Sequence, residues 1–115
     1  NLYLDTSATK WQVREVSPRA EAYRDLVTRY ADRFLFGTDL VTRHHLVREH
    51  CVSRYWCQRT LWESAWTGRS PIADADFPPE GDATTPLLRG VNLPEDVVQR
   101  VYYRNAERLL GLPVV

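Results

Sequence analysis

The chain has 115 residues, 43% of them hydrophobic and 26% charged, with fifteen basic and fifteen acidic side chains that cancel. This composition excludes a disordered chain, and the zero net charge excludes a uniformly basic nucleic-acid binder or a polybasic membrane-surface protein. No apolar run approaches the roughly 18 residues of a membrane-spanning helix. Met is absent and the chain opens at Asn1, directly on the apolar run Leu2-Tyr3-Leu4. The expectation is a piece of a larger protein that opens in mid-strand, with no signal peptide at its start and a cytoplasmic location.

Asn1 to Asp5 reads as a strand, with Leu2 and Leu4 on one face and Tyr3 and Asp5 on the other. It ends in the polar cluster Asp5-Thr6-Ser7. Ser17-Pro18 resembles an N-cap followed by Pro at the first helical position. The spacing of Tyr23, Leu26, Val27 and Tyr30 predicts a helix from Pro18 to Tyr30. Arg33-Phe34-Leu35-Phe36 is a second short strand, closed by Gly37-Thr38-Asp39. Strand, helix and strand in this order predict a βαβ unit with parallel strands.

A long helix is expected over Thr42 to Trp66, which neither Gly nor Pro interrupts. Val47, Cys51, Tyr55, Leu61, Trp62 and Ala65 form its imperfect apolar stripe. Trp56, Trp62 and Trp66 cluster in its second half, where packing is the default role and a stacking platform the alternative. Cys51 and Cys57 are six apart, which is neither a redox nor a zinc-finger spacing, and read as small buried hydrophobes. Residues 67–91, rich in Pro, Gly, Asp and Glu, read as one long loop. Asn92-Leu93-Pro94-Glu95 is a capping box that opens a last helix. Val97, Val98, Val101, Tyr102, Ala106, Leu109 and Leu110 are its apolar stripe, with Gly111 past its end.

Two strands this apolar cannot stand alone as a parallel sheet, because both edges stay open. The pattern fits the last two βα units of a larger α/β fold, with residues 1–115 forming the C-terminal part of one domain. In such folds chemistry gathers at the carboxyl ends of the strands. Here those ends carry Asp5-Thr6-Ser7 and Gly37-Thr38-Asp39. Strand alternation carried past Leu35 would turn Asp39 away from the helix layer and toward the lumen.

Arg33-Phe34-Leu35-Phe36-Gly37-Thr38-Asp39 resembles the eighth-strand motif of the amidohydrolase-related metal-dependent hydrolases, which are (β/α)8 TIM barrels. Asn1-Leu2-Tyr3-Leu4-Asp5-Thr6-Ser7 is similar to their seventh strand. Tyr103-Arg104-Asn105-Ala106-Glu107-Arg108-Leu109-Leu110 resembles their C-terminal helix. The resemblance implies a divalent metal, zinc, held by histidines of the first, fifth and sixth strands. The eighth-strand Asp is metal ligand and general base, and that role maps onto Asp39. The other ligands would precede Asn1, so these 115 residues would hydrolyse nothing alone. The expected substrate is a small molecule with a carbonyl-type bond. The alternatives are a non-oxidative decarboxylase of the same fold and a non-enzymatic helical interaction module.

Asp5, Thr6 and Ser7 are placed at the pocket rim, against ordinary loop capping as the plainer reading. His44 lies near enough to Asp39 to touch substrate. His44, His45 and His50 do not form a His-Glu-x-x-His pattern and read mainly as surface or packed residues. Arg43 and Arg48 are candidate partners for an anionic substrate, against a solvated helix face. Ser7, Ser53 and Ser64 lie in no nucleophile-elbow context. Neither nucleic acid nor membrane is expected as a partner.

Overall fold

A computed structural model describes residues 1–41, 47–73 and 84–113. Its elements, in chain order, are strand β1 (Leu4–Asp5), helix α1 (Thr9–Val16), a 3-10 turn (Ser17–Arg19), helix α2 (Ala20–Arg29), a second 3-10 turn (Ala31–Arg33) and strand β2 (Phe34–Leu35). Helix α3 (Arg48–Glu63), strands β3 (Thr67–Arg69) and β4 (Leu87–Arg89), and helices α4 (Glu95–Gln99) and α5 (Asn105–Leu110) follow. A π turn, Arg100–Arg104, joins α4 to α5.

β1 and β2 are adjacent and parallel, with Leu4 opposite Phe34 and Asp5 opposite Leu35. This is the pairing that the strand, helix, strand pattern predicts, although each strand is shorter than its apolar run. The predicted helix Pro18–Tyr30 is corrected. Helical structure begins nine residues earlier, at Thr9, and tightens to 3-10 geometry at Ser17–Arg19. Pro18 therefore sits inside a helical path, not at its start. It lacks an N–H and is tolerated where the hydrogen-bond ladder changes register.

The long helix is shorter than Thr42–Trp66: it runs Arg48–Glu63, and residues 42–46 lie outside the described ones. Its buried face is Cys57, Gln58, Leu61 and Trp62. Val47 and Tyr55, assigned to the apolar stripe, are exposed, and Cys51 is half-buried. Burial pushes the Cys57 thiol up to about 12, so this cysteine stays protonated and packs as a small apolar group.

Residues 67–91 are not one loop. β3 and β4 pair antiparallel, with Gly68 opposite Leu88, and Ile72 and Leu88 are buried in the core. The backbone just after β4 then caps α3: Val91 N donates to Leu61 O at 2.6 Å and Leu93 N to Trp62 O at 2.8 Å. These bonds satisfy carbonyls at the helix end that would otherwise lack partners. Gly90 allows the approach, because a Cβ there would collide with the Ser64 carbonyl.

The Asn92 capping box is also corrected. Asn92 has a left-handed backbone, φ 52, and Pro94 holds the N-cap position with no side-chain cap. Gly111 takes the left-handed conformation expected just past the last helix.

The core gathers Val13, Val16, Val27, Phe34, Leu61, Trp62, Leu88, Val97 and Val101 into one cluster. Tyr23 stacks edge-on against Trp62, at 5.8 Å between ring centres, and against Phe34 at 6.4 Å. These contacts fix the direction of α3. Its C-terminal Trp62 lies at the level of Phe34, whereas Gln58, one turn earlier, meets Gly37. α3 therefore runs antiparallel to β2, and its N-terminal half rises past the carboxyl ends of the strands.

Candidate active site

The carboxyl ends of β1 and β2 lie side by side. Thr6 continues the pairing: its N–H and its hydroxyl both donate to Leu35 O, at 2.9 and 3.1 Å. Asp5 and Ser7 bond to each other. Ser7 N donates to Asp5 Oδ1 at 2.7 Å, and the Ser7 hydroxyl donates to the same oxygen. This is the local turn that an Asp followed two residues later by Ser commonly makes. The Asp5 carboxylate and Ser7 hydroxyl are thus brought together at a strand end, already engaged with one another.

Gly37 faces this turn from β2. A Cβ there would run into the Ser7 hydroxyl and lie 2.9 Å from Asp5 Oδ1. Glycine is required because the two chain ends approach so closely, not because of its own dihedral angles.

Asp39 follows, exposed, with a left-handed backbone at φ 52. The regular strand has ended at Leu35, so strand alternation does not reach Asp39 and does not set which way it faces. Nor does the carboxylate carry a burial cost. Among the described residues no side chain pairs with it. Both carboxylate oxygens are, among those residues, available for a metal, a water or a substrate proton. Among those residues no three His, Cys, Asp or Glu side chains converge as a metal site. The donor set here fits one ligand of a metal centre, not a whole centre.

His44, His45 and Arg43 lie outside the described residues. His50 is half-buried on α3, and its Nε2 accepts from Arg54 Nε at 3.0 Å. That nitrogen is therefore occupied. Arg48 is exposed at the start of α3.

Four residues hold this region together: Gln58, Gln12 and Thr9, which the sequence reading passed over, and Asn105, which it quoted only within the C-terminal helix motif. Gln58, fully buried, donates from Nε2 to both Thr6 O, at 3.0 Å, and Gly37 O. Gln12 on α1 donates to the same Thr6 carbonyl at 2.7 Å. The Thr9 hydroxyl shares its one proton between Thr38 O at 3.1 Å and Ser7 O at 3.2 Å. Asn105, buried on α5, donates to Ala31 O at 2.7 Å and Phe34 O at 2.9 Å, at the start of β2. One signal was present in the sequence: Gln58 sits among Cys57, Leu61 and Trp62 on the inward face of a helix, where an amide is stable only if bonded.

The sequence profile of the amidohydrolase family matches residues 1–112. No curated protein and no solved structure matches the chain. The family match spans both strands, the Gly37-Thr38-Asp39 turn and the C-terminal helix bearing Asn105, and on it the chain belongs to the amidohydrolase family.

Proposed function

We propose that this chain supplies the last two βα units of a (β/α)8 barrel and that Asp39 serves a metal-dependent hydrolase acting on a carbonyl-type bond of a small molecule. The observation that carries the reading is the Asp39 carboxylate, exposed and unpaired among the described residues, beyond the carboxyl end of a parallel strand pair, within a chain matched almost end to end by the amidohydrolase family. The other edge of β1 supports the barrel. Leu2 is 71% exposed and Leu4 42%, and both line an apolar groove of about 360 Å³ with Leu26, Tyr30 and Phe34. Parallel sheets are normally covered on both faces, so a further element of a larger fold is expected over this groove.

Asp39 would be one ligand of a divalent metal, with zinc as the expected ion. When bound, the metal supplies a Lewis acid and a water of lowered pKa. Asp39 orients the attacking water through a carboxylate oxygen, takes its proton, and returns that proton to the leaving group. Asp5 and Ser7, at the neighbouring strand end, present a hydroxyl and a carboxylate toward substrate from the rim.

The test is Asp39→Asn in the full-length barrel protein that this chain would complete, assayed on a panel of small esters, lactones and amides with and without added Zn²⁺. Loss of a general base lowers turnover by about 10² to 10⁴. Turnover within twofold of the unsubstituted protein would remove Asp39 from the chemistry.

A further inference from the structure

The three residues that lead to Asp39 each have a backbone polar group held by a different helix. Phe36 N donates to Val101 O at 3.0 Å. Gly37 O accepts from the Gln58 amide on α3. Thr38 O accepts from the Thr9 hydroxyl on α1 at 3.1 Å. The strand ends at Leu35, so no ladder holds residues 36–38, and these three bonds take its place.

The first bond exists because of the π turn. Asn105 N bonds to Arg100 O, five residues back, instead of to Val101 O, four residues back. The extra residue frees the Val101 carbonyl, which turns to Phe36. A π turn of this kind is costly in a helix and recurs at functional sites. The other two bonds come from side chains with 0% and 1% exposure, Gln58 and Thr9. Truncating either buried side chain removes the donor that its carbonyl partner has inside the protein.

What the cradle holds is an unfavourable conformation. Asp39 lies at φ 52, a region that costs a non-glycine residue free energy and persists only where the surroundings impose it. Left free, residues 37–39 would relax toward extended backbone, and the carboxylate would swing away from its present direction.

We propose that Gln58 and Thr9 are positioning residues for the Asp39 carboxylate. They act through the Gly37 and Thr38 carbonyls, with the Val101 carbonyl as the third anchor. The role of Asp39 itself rests on the function proposed above; the cradle rests on the bonds just described.

The experiment uses the protein with backbone ¹⁵N and ¹³C labels, without metal, and follows the signals of Gly37, Thr38 and Asp39. Gln58→Met removes the amide donor at similar length, and Thr9→Val removes the hydroxyl at similar size. Thr9→Ser keeps the hydroxyl and is the rescue. Both deletions are expected to double or broaden the Thr38 and Asp39 signals while Val27 and Val101 keep theirs. Thr9→Ser is expected to keep a single set. In the full-length barrel protein, on the panel of carbonyl substrates, a misplaced carboxylate lowers kcat by about 100-fold, with KM within twofold.

Wild-type positions for Thr38 and Asp39 in Gln58→Met or Thr9→Val would overturn the proposal. So would a Thr9→Ser variant that behaves like Thr9→Val. Failure of the underlying reading has another signature: Asp39→Asn keeps its turnover while Gln58→Met still displaces the Asp39 signals.

Discussion

Gly37 and Asn105 show how much of this region depends on single atoms. Gly37 has no side chain because the Ser7 hydroxyl and the Asp5 carboxylate occupy the space where a Cβ would be. In Gly37→Ala the turn at Ser7 must move, since a tightly packed contact yields only by displacement. The expected cost is about 1–3 kcal/mol, read from the denaturant midpoint, with a parallel loss of turnover. Asn105 has two donors and both are used, on the carbonyls of Ala31 and Phe34. Asn105→Leu leaves those carbonyls buried without donors, at about 1–3 kcal/mol for each carbonyl. Chemical denaturation of the variant measures it, and a change below about 0.5 kcal/mol would show that water reaches the site. The Gly37-Thr38-Asp39 motif was legible as a sequence. The partners of its carbonyls were not, since Thr9 and Gln58 lie 29 and 21 residues from the backbone they bond.

Among the elements, the last helix departs most instructively from its pattern. In a regular helix Asn105 follows Val101 by four residues on the same face, and Leu110 falls opposite Val101. The π turn inserts one residue and rotates the following segment by about 100°. Asn105 faces the core, and Leu109 and Leu110, both expected on the apolar stripe, are 46% and 66% exposed. Periodicity alone cannot show such a shift, because the residues that cause it look like ordinary helix formers. Helix α3 carries a second feature of this scale. Glu63 pairs with Arg59 at 2.8 Å, and the Tyr102 hydroxyl donates to Glu63 at 2.8 Å, joining α3 to the π turn. The Arg59 hydrogen bond, foremost, holds the Glu63 carboxyl below its usual range, and the Tyr102 bond adds to this against the opposing effect of burial. Burial first, and Glu63 second, raise the Tyr102 phenol. A carboxylate whose folded pKa is depressed contributes stability above its unfolded pKa, and that contribution fades as pH falls through the folded value. Stability should therefore drop on acidification below the normal glutamate range, and Glu63→Gln should flatten that part of the curve. The pair is largely exposed, so the effect is small. Thermal melts between pH 7 and pH 3 measure it, and an unchanged slope in Glu63→Gln would assign the acid sensitivity elsewhere.

At the scale of the molecule, the apolar edge at β1 is the dominant feature. Leu2, Leu4, Leu26 and Tyr30 line an open groove beside a strand that pairs on one side only. An exposed apolar edge of this kind pairs with whatever strand is available. Produced as the 115 residues alone, the chain is expected to self-associate, and Leu4→Lys is expected to shift it toward monomer. Light scattering after size exclusion reads both, and a monomeric unsubstituted chain would show that the edge needs no cover. Among the described residues no helix is long and apolar enough to cross a membrane. The order of strand and helix, the parallel pairing of β1 with β2 and the family were all readable from local patterns. Alternating and helical periodicity and short turn motifs are properties of neighbouring residues. The hairpin inside residues 67–91, the early start at Thr9 and the holding of Asp39 were decided by tertiary structure. Each depends on which distant backbone groups lack a partner in the packed chain: the α3 carbonyls taken by Val91 and Leu93, and the Gly37 and Thr38 carbonyls taken by Gln58 and Thr9. Hydrogen-bond satisfaction in a closed core is a property of the whole fold, and no window of sequence contains it.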